Sequence, residues 1–441
     1  MMYSFLLKNF LLPFGDKFLG GGLPKKIKEL QGLTRLSAVE LKSLQNQKLG
    51  KVLQYAILHS PYYQALDISP SADPEEFLSK FPILDKQTVR DKIDQLITKK
   101  SLDGLQAVMS SGSTGPPSKV YFNKEEMAAT RAVQLTWWSW AGYEYGNSIL
   151  QTGVNLNRSR EKRIKDIFFR TKYIEALKHH EDEMLKELHD LRKKPKDHYV
   201  AYASSLYLFA KTALDHGLSD IRFKSVISLG EKLLPNFREA IEQAFHCKVY
   251  DTYGSSEGLM VASQCSHGSY HIMTPHVYLE VVDENGNEVG PGEMGRVLLT
   301  GLDNYTTPLI RYEIGDLAIK SKKTTCDCGM ELPMLEEVLG RTTEFLKTPQ
   351  NKYITVQTVV RVLKFFPEVE QFTLIQKTEN SFQLQYISKE QLDECSQQKI
   401  KESFETLYKE SFLFDFQQVE LLPRSKSGKF QLIINEVHEN V

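Results

Sequence analysis

Two groups of residues in this chain of 441 have types and spacing suited to chemistry. The first is the run Ser110 to Lys119, SSGSTGPPSK. Gly112 and Gly115 free the backbone to wrap closely, and the hydroxyls of Ser110, Ser111, Ser113 and Thr114 can donate to phosphate oxygens. The run departs from the Walker pattern, since Pro117 stands where that pattern needs Gly-Lys. On its own, a run of this composition is more often a plain surface turn. The second group is soft. QCSHGSYHI carries Cys265, His267 and His271, and TTCDCGMELP carries Cys326 and Cys328. Three thiols and an imidazole form the tetrahedral set that zinc prefers; the bland alternative is buried thiols beside a surface histidine. No general base accompanies the set, so a bound zinc would act as a structural clamp.

These groups need elements to hold them. Within residues 35–100, LSAVELKSLQNQKLGKVLQYAIL has apolar residues at helical spacing and stops before Ser60-Pro61. The stretch from Arg158 to Lys196 is highly charged and helical in pattern, which reads as a solvated face. From about Asp220 onward, short β-rich runs alternate with turns: FKSVISLG, KVYDTYG, YLEVVD, GRVLLTG and LAIKS. Glu284-Asn285-Gly286-Asn287 is a hairpin signal between two of them. The last hundred residues read as a small α+β domain with its own core, beginning after Gly340.

The length suffices for two or three domains. A net charge of −1 gives no support for nucleic-acid binding. No stretch approaches a membrane span. The N-terminal run MMYSFLLKNFLLPFGDKFLGGG is broken by Lys8, Asn9, Pro13 and Asp16 and lacks a cleavage site. It predicts a helix packed on its own domain, with an amphipathic membrane-surface segment as the alternative. Five cysteines, an odd number without disulfide-framework spacing, fit a reducing compartment, and a cytoplasmic location is expected.

Three further motifs follow the hydroxyl-rich run in order: DTYGSSEG (Asp251 to Gly258), IRYEIGDL (Ile310 to Leu317) and PRSKSGK (Pro423 to Lys429). Together the four resemble the adenylate-forming superfamily, in its phenylacetate–coenzyme A ligase-like branch, which includes proteins linked to capsule biosynthesis. The resemblance covers nearly the whole chain, from SPYY at Ser60 to Lys429. It implies that the 110–115 loop, following a strand at Leu105 to Met109, cradles the phosphates of ATP. Asp251 opens the adenine-and-metal motif, in which Tyr253 offers a flat ring, Gly254 close approach, Ser256 a phosphate donor and Glu257 a hard oxygen for Mg²⁺. Gly230 and Glu231, in SLGEKLLP, correspond to a second adenine-side segment. Asp316 would anchor ribose, Arg341 would contact ribose or phosphate, and Lys429 would meet negative charge developing at the α-phosphate. Some relatives in this branch also carry a zinc site of this kind, which assigns Cys265, His271, Cys326 and Cys328, with His267 as substitute for His271. The chain departs from the pattern at Pro116, where relatives often carry a cation. It departs again at Thr343, where many carry Asp or Lys, and that leaves the hinge residue open with Glu344 the nearest acid.

The implied fold is α/β: a large N-terminal domain of layered sheets and helices (1–340) and a small mobile C-terminal α+β domain (341–441). The implied reaction converts a carboxylic acid and ATP, with Mg²⁺, to an acyl-AMP and then transfers the acyl group to a thiol, most simply coenzyme A. Two alternatives stand beside it. In one, the adenylate passes to a carrier-protein thiol or an amine; in the other, the protein is a nucleotide-binding scaffold without turnover. The aromatic run Thr136 to Gly146 reads either as an aryl pocket or as core packing.

Overall fold

The sequence caps its first long helix unambiguously. Ser37 accepts from the Glu40 backbone N–H while the Glu40 carboxylate accepts from Ser37, and helix Ala38–His59 follows. It ends at Ser60-Pro61, as its pattern predicts. In this computed structural model the described residues are 2–109, 118–153, 160–175, 181–341, 346–350, 352–354, 356–363, 365–424 and 431–437. They form two compact units. The larger holds almost everything up to Glu337, and the smaller runs from Val338 and also takes Gly315–Leu317.

In the larger unit, β1 (Gln106–Met109) and β2 (Lys119–Phe122) pair antiparallel, from Gln106 opposite Phe122 to Met109 opposite Lys119. The hydroxyl-rich run therefore connects two strands whose ends are held together. An eleven-stranded sheet supplies the main layer. Its strands are β3 (Ile149–Gly153), β4 (Thr171–Glu175), β5 (His198–Tyr202), β6 (Ser225–Leu229), β7 (Val249–Gly254), β8 (Met260–Gln264), β9 (Tyr270–Ile272), β10 (Val277–Val282), β11 (Met294–Gly301), β12 (Tyr312–Lys320) and β13 (Met334–Arg341). The order is β10-β11-β12-β13-β9-β8-β7-β6-β5-β3-β4. From β4 to β7 the pairing is parallel; from β7 to β9 it is antiparallel.

The parallel half has buried faces because helices cover it. Helix Lys124–Trp140 packs Leu135 and Trp138 against Ile149, Val200 and Ile227. This settles the aromatic run: Trp137, Trp138 and Tyr143 are buried core, and Trp138 and Tyr143 meet edge to face at 5.6 Å. The charged stretch after Arg158 differs from its all-helical expectation. Two helices, Arg160–Phe168 and Glu181–Lys193, flank β4. Tertiary pairing with β3 overrides the surrounding charge, since an edge strand needs only one paired side and one packed face.

The hairpin signal at 284–287 is realised as a tight turn, with the Asp283 and Asn287 backbones bonded at 2.8 Å. The N-terminal helices pack on their own unit along one side only. Leu7 is buried, but Phe5, Phe10 and Phe14 are about 60% exposed. Among the described residues no helix is long and apolar enough to cross a membrane.

The smaller unit has β14 (Leu346–Lys347) paired with β15 (Tyr353–Ile354), and a four-stranded sheet. That sheet runs β18 (Leu413–Gln418), β17 (Ser381–Ile387), β16 (Gln371–Thr378) and β19 (Ile433–Asn435). Its core is apolar and its own, including Leu374, Phe382, Leu384, Ile400 and Phe404. Helix Glu394–Tyr408 buries Ile400, Phe404 and Tyr408, four-residue steps on one face.

Candidate functional site

In the larger unit the candidate residues gather at the carboxyl ends of two neighbouring parallel strands. β6 and β7 are in register from Val226 opposite Val249 to Ser228 opposite Asp251. Gly230 and Glu231 leave β6, and Tyr253 and Gly254 end β7, at the same edge. Open parallel sheets bind ligands at such edges. Gly230 has φ +72° and is exposed. The Glu231 carboxylate accepts from the Ser204 backbone N–H at 2.9 Å, at the start of helix Ala203–Asp215. Asp251 is buried; its N–H donates to Gln264 and its carboxylate accepts from Tyr270. Burial raises the Asp251 carboxyl above the usual range, against the opposing pull of the Tyr270 hydroxyl and the Arg238 and Lys232 charges.

The turn after β7 presents Glu257. The Ser255 N–H donates to the Leu259 carbonyl (2.8 Å) and the Gly258 N–H to the Ser255 carbonyl (3.2 Å). Gly258 sits at φ +84°, and a Cβ there would lie 2.7 Å from the Phe122 ring, so glycine alone fits. Thr130 also bonds the Gly258 carbonyl at 3.4 Å. These contacts seat the turn beside β2, the strand that leaves the hydroxyl-rich run. Glu257 itself is buried and takes a hydrogen bond from the Tyr312 hydroxyl on Oε1 at 3.0 Å. Among the described residues no protein cation pairs with it. The Ser255 hydroxyl is likewise buried with no partner among the described residues. A buried carboxylate without a countercharge is costly unless a ligand supplies one. Magnesium, with its preference for carboxylate and hydroxyl oxygens, fits this donor set.

Sequence reasoning singled out Ser256 and Glu257 but passed over Ser255 and Tyr312. Tyr312 lies inside the quoted RYEIGDL motif, and only the fold brings it to Glu257. Asp316 lies further along β12, half-buried, after Gly315 at φ +80°. Arg341 ends β13. Ser110, Ser111, Gly112, Ser113, Thr114, Gly115 and Lys429 lie outside the described residues.

The soft ligands converge. Antiparallel pairing sets Met334 of β13 opposite His271 of β9, which draws the Cys326–Cys328 segment toward the turn after β8. The ligand atoms of Cys265, His271, Cys326 and Cys328 all lie within 4.8 Å of one another. Cys265 Sγ and Cys326 Sγ are 3.7 Å apart, and Cys328 Sγ is 3.2 Å from His271 Nε2. Tetrahedral Zn–S bonds of ~2.3 Å would put sulfurs about 3.8 Å apart, so the spacing fits the ion. His271 Nδ1 faces the Leu332 carbonyl at 3.2 Å, which holds the ring with Nε2 toward the thiols. His267 stands outside the set: its ring faces the Ser266 hydroxyl, while its backbone N–H donates to Cys265 Sγ at 3.4 Å.

The chain is similar in sequence and fold to known proteins. The family described as AMP-binding enzyme matches residues 172–305, and the CapK C-terminal domain matches 346–436. Protein CapK of Staphylococcus aureus is 23% identical over 413 residues, spanning 90% of each chain. Phenylacetate-coenzyme A ligase of Thermus thermophilus is 24% identical over 336 residues, covering 71% of this chain and 73% of its own. In fold, the chain resembles 2-hydroxyisobutyryl-CoA ligase in the postadenylation state in complex with R3-HIB-AMP. The TM-score is 0.76 at 16% identity, over 93% of this chain and 92% of that one.

Proposed function

The chain belongs to the adenylate-forming superfamily, in its phenylacetate–coenzyme A ligase-like and CapK-like branch, and we propose from that membership that it is an AMP-forming carboxylate–coenzyme A ligase. The observation that carries the reading is Glu257, a buried carboxylate with no countercharge among the described residues, oriented by Tyr312 at the carboxyl edge of a parallel sheet.

In the first half-reaction a carboxylate oxygen of the acid attacks the α-phosphorus of ATP. A new P–O bond forms, the bond to the bridging oxygen breaks, and pyrophosphate leaves. Two anions resist this approach. Glu257 would hold magnesium, which supplies neutralisation of the pyrophosphate charge when bound. Tyr253, with Gly230, Glu231 and Asp251 around it, would hold adenine, and Asp316 and Arg341 would hold ribose. Gly254, Ser256 and the 110–115 loop would receive the phosphates. Lys429 would bring its ammonium to the α-phosphate as charge builds. In the second half-reaction the thiol of coenzyme A attacks the acyl carbon. A C–S bond forms, the C–O bond to AMP breaks, and the thiol proton passes to solvent. Residues 341–441 would act as a separate domain that withdraws Lys429 before the thiol enters. The cytoplasm supplies both ATP and coenzyme A, and the five free cysteines fit its reducing conditions.

Pyrophosphate release with a panel of carboxylic acids tests the reading. Release should require ATP, magnesium and a particular acid, and coenzyme A should be consumed in step. No release with any acid would leave a nucleotide-binding scaffold. An adenylate indifferent to coenzyme A but discharged by an amine or a carrier-protein thiol would move the acceptor.

The Cys265–His271–Cys326–Cys328 set would hold a structural zinc. Metal analysis should find about one zinc per chain. Cys326→Ser or Cys328→Ser should lower the melting temperature by several degrees before pyrophosphate release suffers, because the clamp ties the two segments together. Protein free of zinc with an unchanged melting temperature would return these cysteines to ordinary thiols.

A further inference from the structure

The first helices carry an exposed apolar face. Residues Leu7–Leu11 form a π-helical turn between helices Met2–Leu6 and Leu12–Leu19. The five-residue step of a π turn aligns residues five apart, and the Phe5 and Phe10 rings meet edge to face at 6.2 Å. Phe14 follows a helical turn later, and the three are 61%, 60% and 64% exposed. The opposite side is anchored: Leu7 is buried and the Tyr3 hydroxyl donates to the Phe168 carbonyl at 2.6 Å. Phe168 ends helix Arg160–Phe168, so that helix is one element on which the segment is anchored. Burial of one side and exposure of aromatic rings on the other distinguish this from an unfolded tail.

Charge identifies the partner. Residues 1–35 hold six basic side chains against two acidic, and 160–168 hold four against two, while the whole chain carries −1. A second copy would set like charges face to face. An anionic bilayer surface would meet the basic surplus and take the phenylalanines into its interface. We propose that the Phe5–Phe10–Phe14 face is a peripheral docking surface for anionic lipid membranes. No helix among the described residues is long and apolar enough to span the bilayer, so the segment lies on it. The consequence is a ligase that works at a membrane surface and delivers its product there.

Flotation of the full-length protein with vesicles of phosphatidylcholine and phosphatidylglycerol (3:1) tests this. The protein should float with these vesicles, float less with pure phosphatidylcholine, and be released by salt. The variant Phe5→Ser/Phe10→Ser/Phe14→Ser should bind at least tenfold more weakly. Phe10→Trp, which keeps the face apolar, should shift its added indole emission to the blue when phosphatidylglycerol vesicles are present. A wild-type protein that stays unbound would overturn the proposal. So would a triple variant that floats equally well, or a concentration-dependent dimer that the triple variant abolishes in place of vesicle binding.

Discussion

Lys429→Ala should lower the rate of acid-dependent pyrophosphate release by roughly 10²–10³-fold, the cost of losing one charge aimed at a developing anion. ATP affinity and the melting temperature should change little, because the contact matters chiefly in the transition state. Thioester formation from supplied acyl-AMP should also persist, since that half-reaction requires the lysine to be absent from the site. The two half-reactions measured separately give the discriminating pattern. Equal losses in both would mean that the substitution damages the smaller unit. A wild-type rate of pyrophosphate release would remove Lys429 from the chemistry.

Glu257→Gln should produce the second large loss, again roughly 10²-fold in the first half-reaction, with the magnesium requirement shifted to higher concentration. The substitution suits the geometry. A glutamine carbonyl can still accept from Tyr312, so the turn at Ser255–Gly258 stays seated and only the charge is removed. Binding of ATP without magnesium should be little affected. An unchanged magnesium dependence would take Glu257 out of the metal site and leave its burial unexplained. Tyr312→Phe is the milder companion. It removes one orienting hydrogen bond, worth about 1 kcal/mol, and should slow the first half-reaction about fivefold without moving the magnesium requirement.

Some of this arrangement was legible in residue order. The helix Ala38–His59 was legible in the helical spacing of its apolar residues and in Ser60-Pro61 at its end, both of them local signals. The β-rich runs after Asp220 and the α+β pattern of the last hundred residues emerged as strands and helices of those kinds. β4 did not, because Thr171–Glu175 lies between charged helices and becomes a strand only through its pairing with β3. β19 escaped notice too. Ile433–Asn435 is three residues long, and it becomes a strand by lying parallel to β16, far away in sequence. The aromatic run from Thr136 left two readings open, and packing against Ile149, Val200 and Ile227 decided for the core.

The same division holds at the site. By itself the sequence determined which donors the chain owns: a hydroxyl-rich loop, a Tyr-Gly-Ser-Ser-Glu turn, a late lysine, and three thiols with two imidazoles. Composition and local spacing carry that much, since a residue's chemistry travels with its side chain. Only tertiary structure decided which donors meet. His271 rather than His267 faces the thiols, because β9 places His271 opposite Met334 of β13 and the turn at Ser266 directs His267 elsewhere. Tyr312 reaches Glu257 from a different strand. The N-terminal phenylalanines face outward because a π turn, invisible in composition, sets Phe5 beside Phe10 on the side away from Leu7. In each case the deciding quantity is the register of one element on another, and register is fixed by burial and hydrogen bonding across the whole fold.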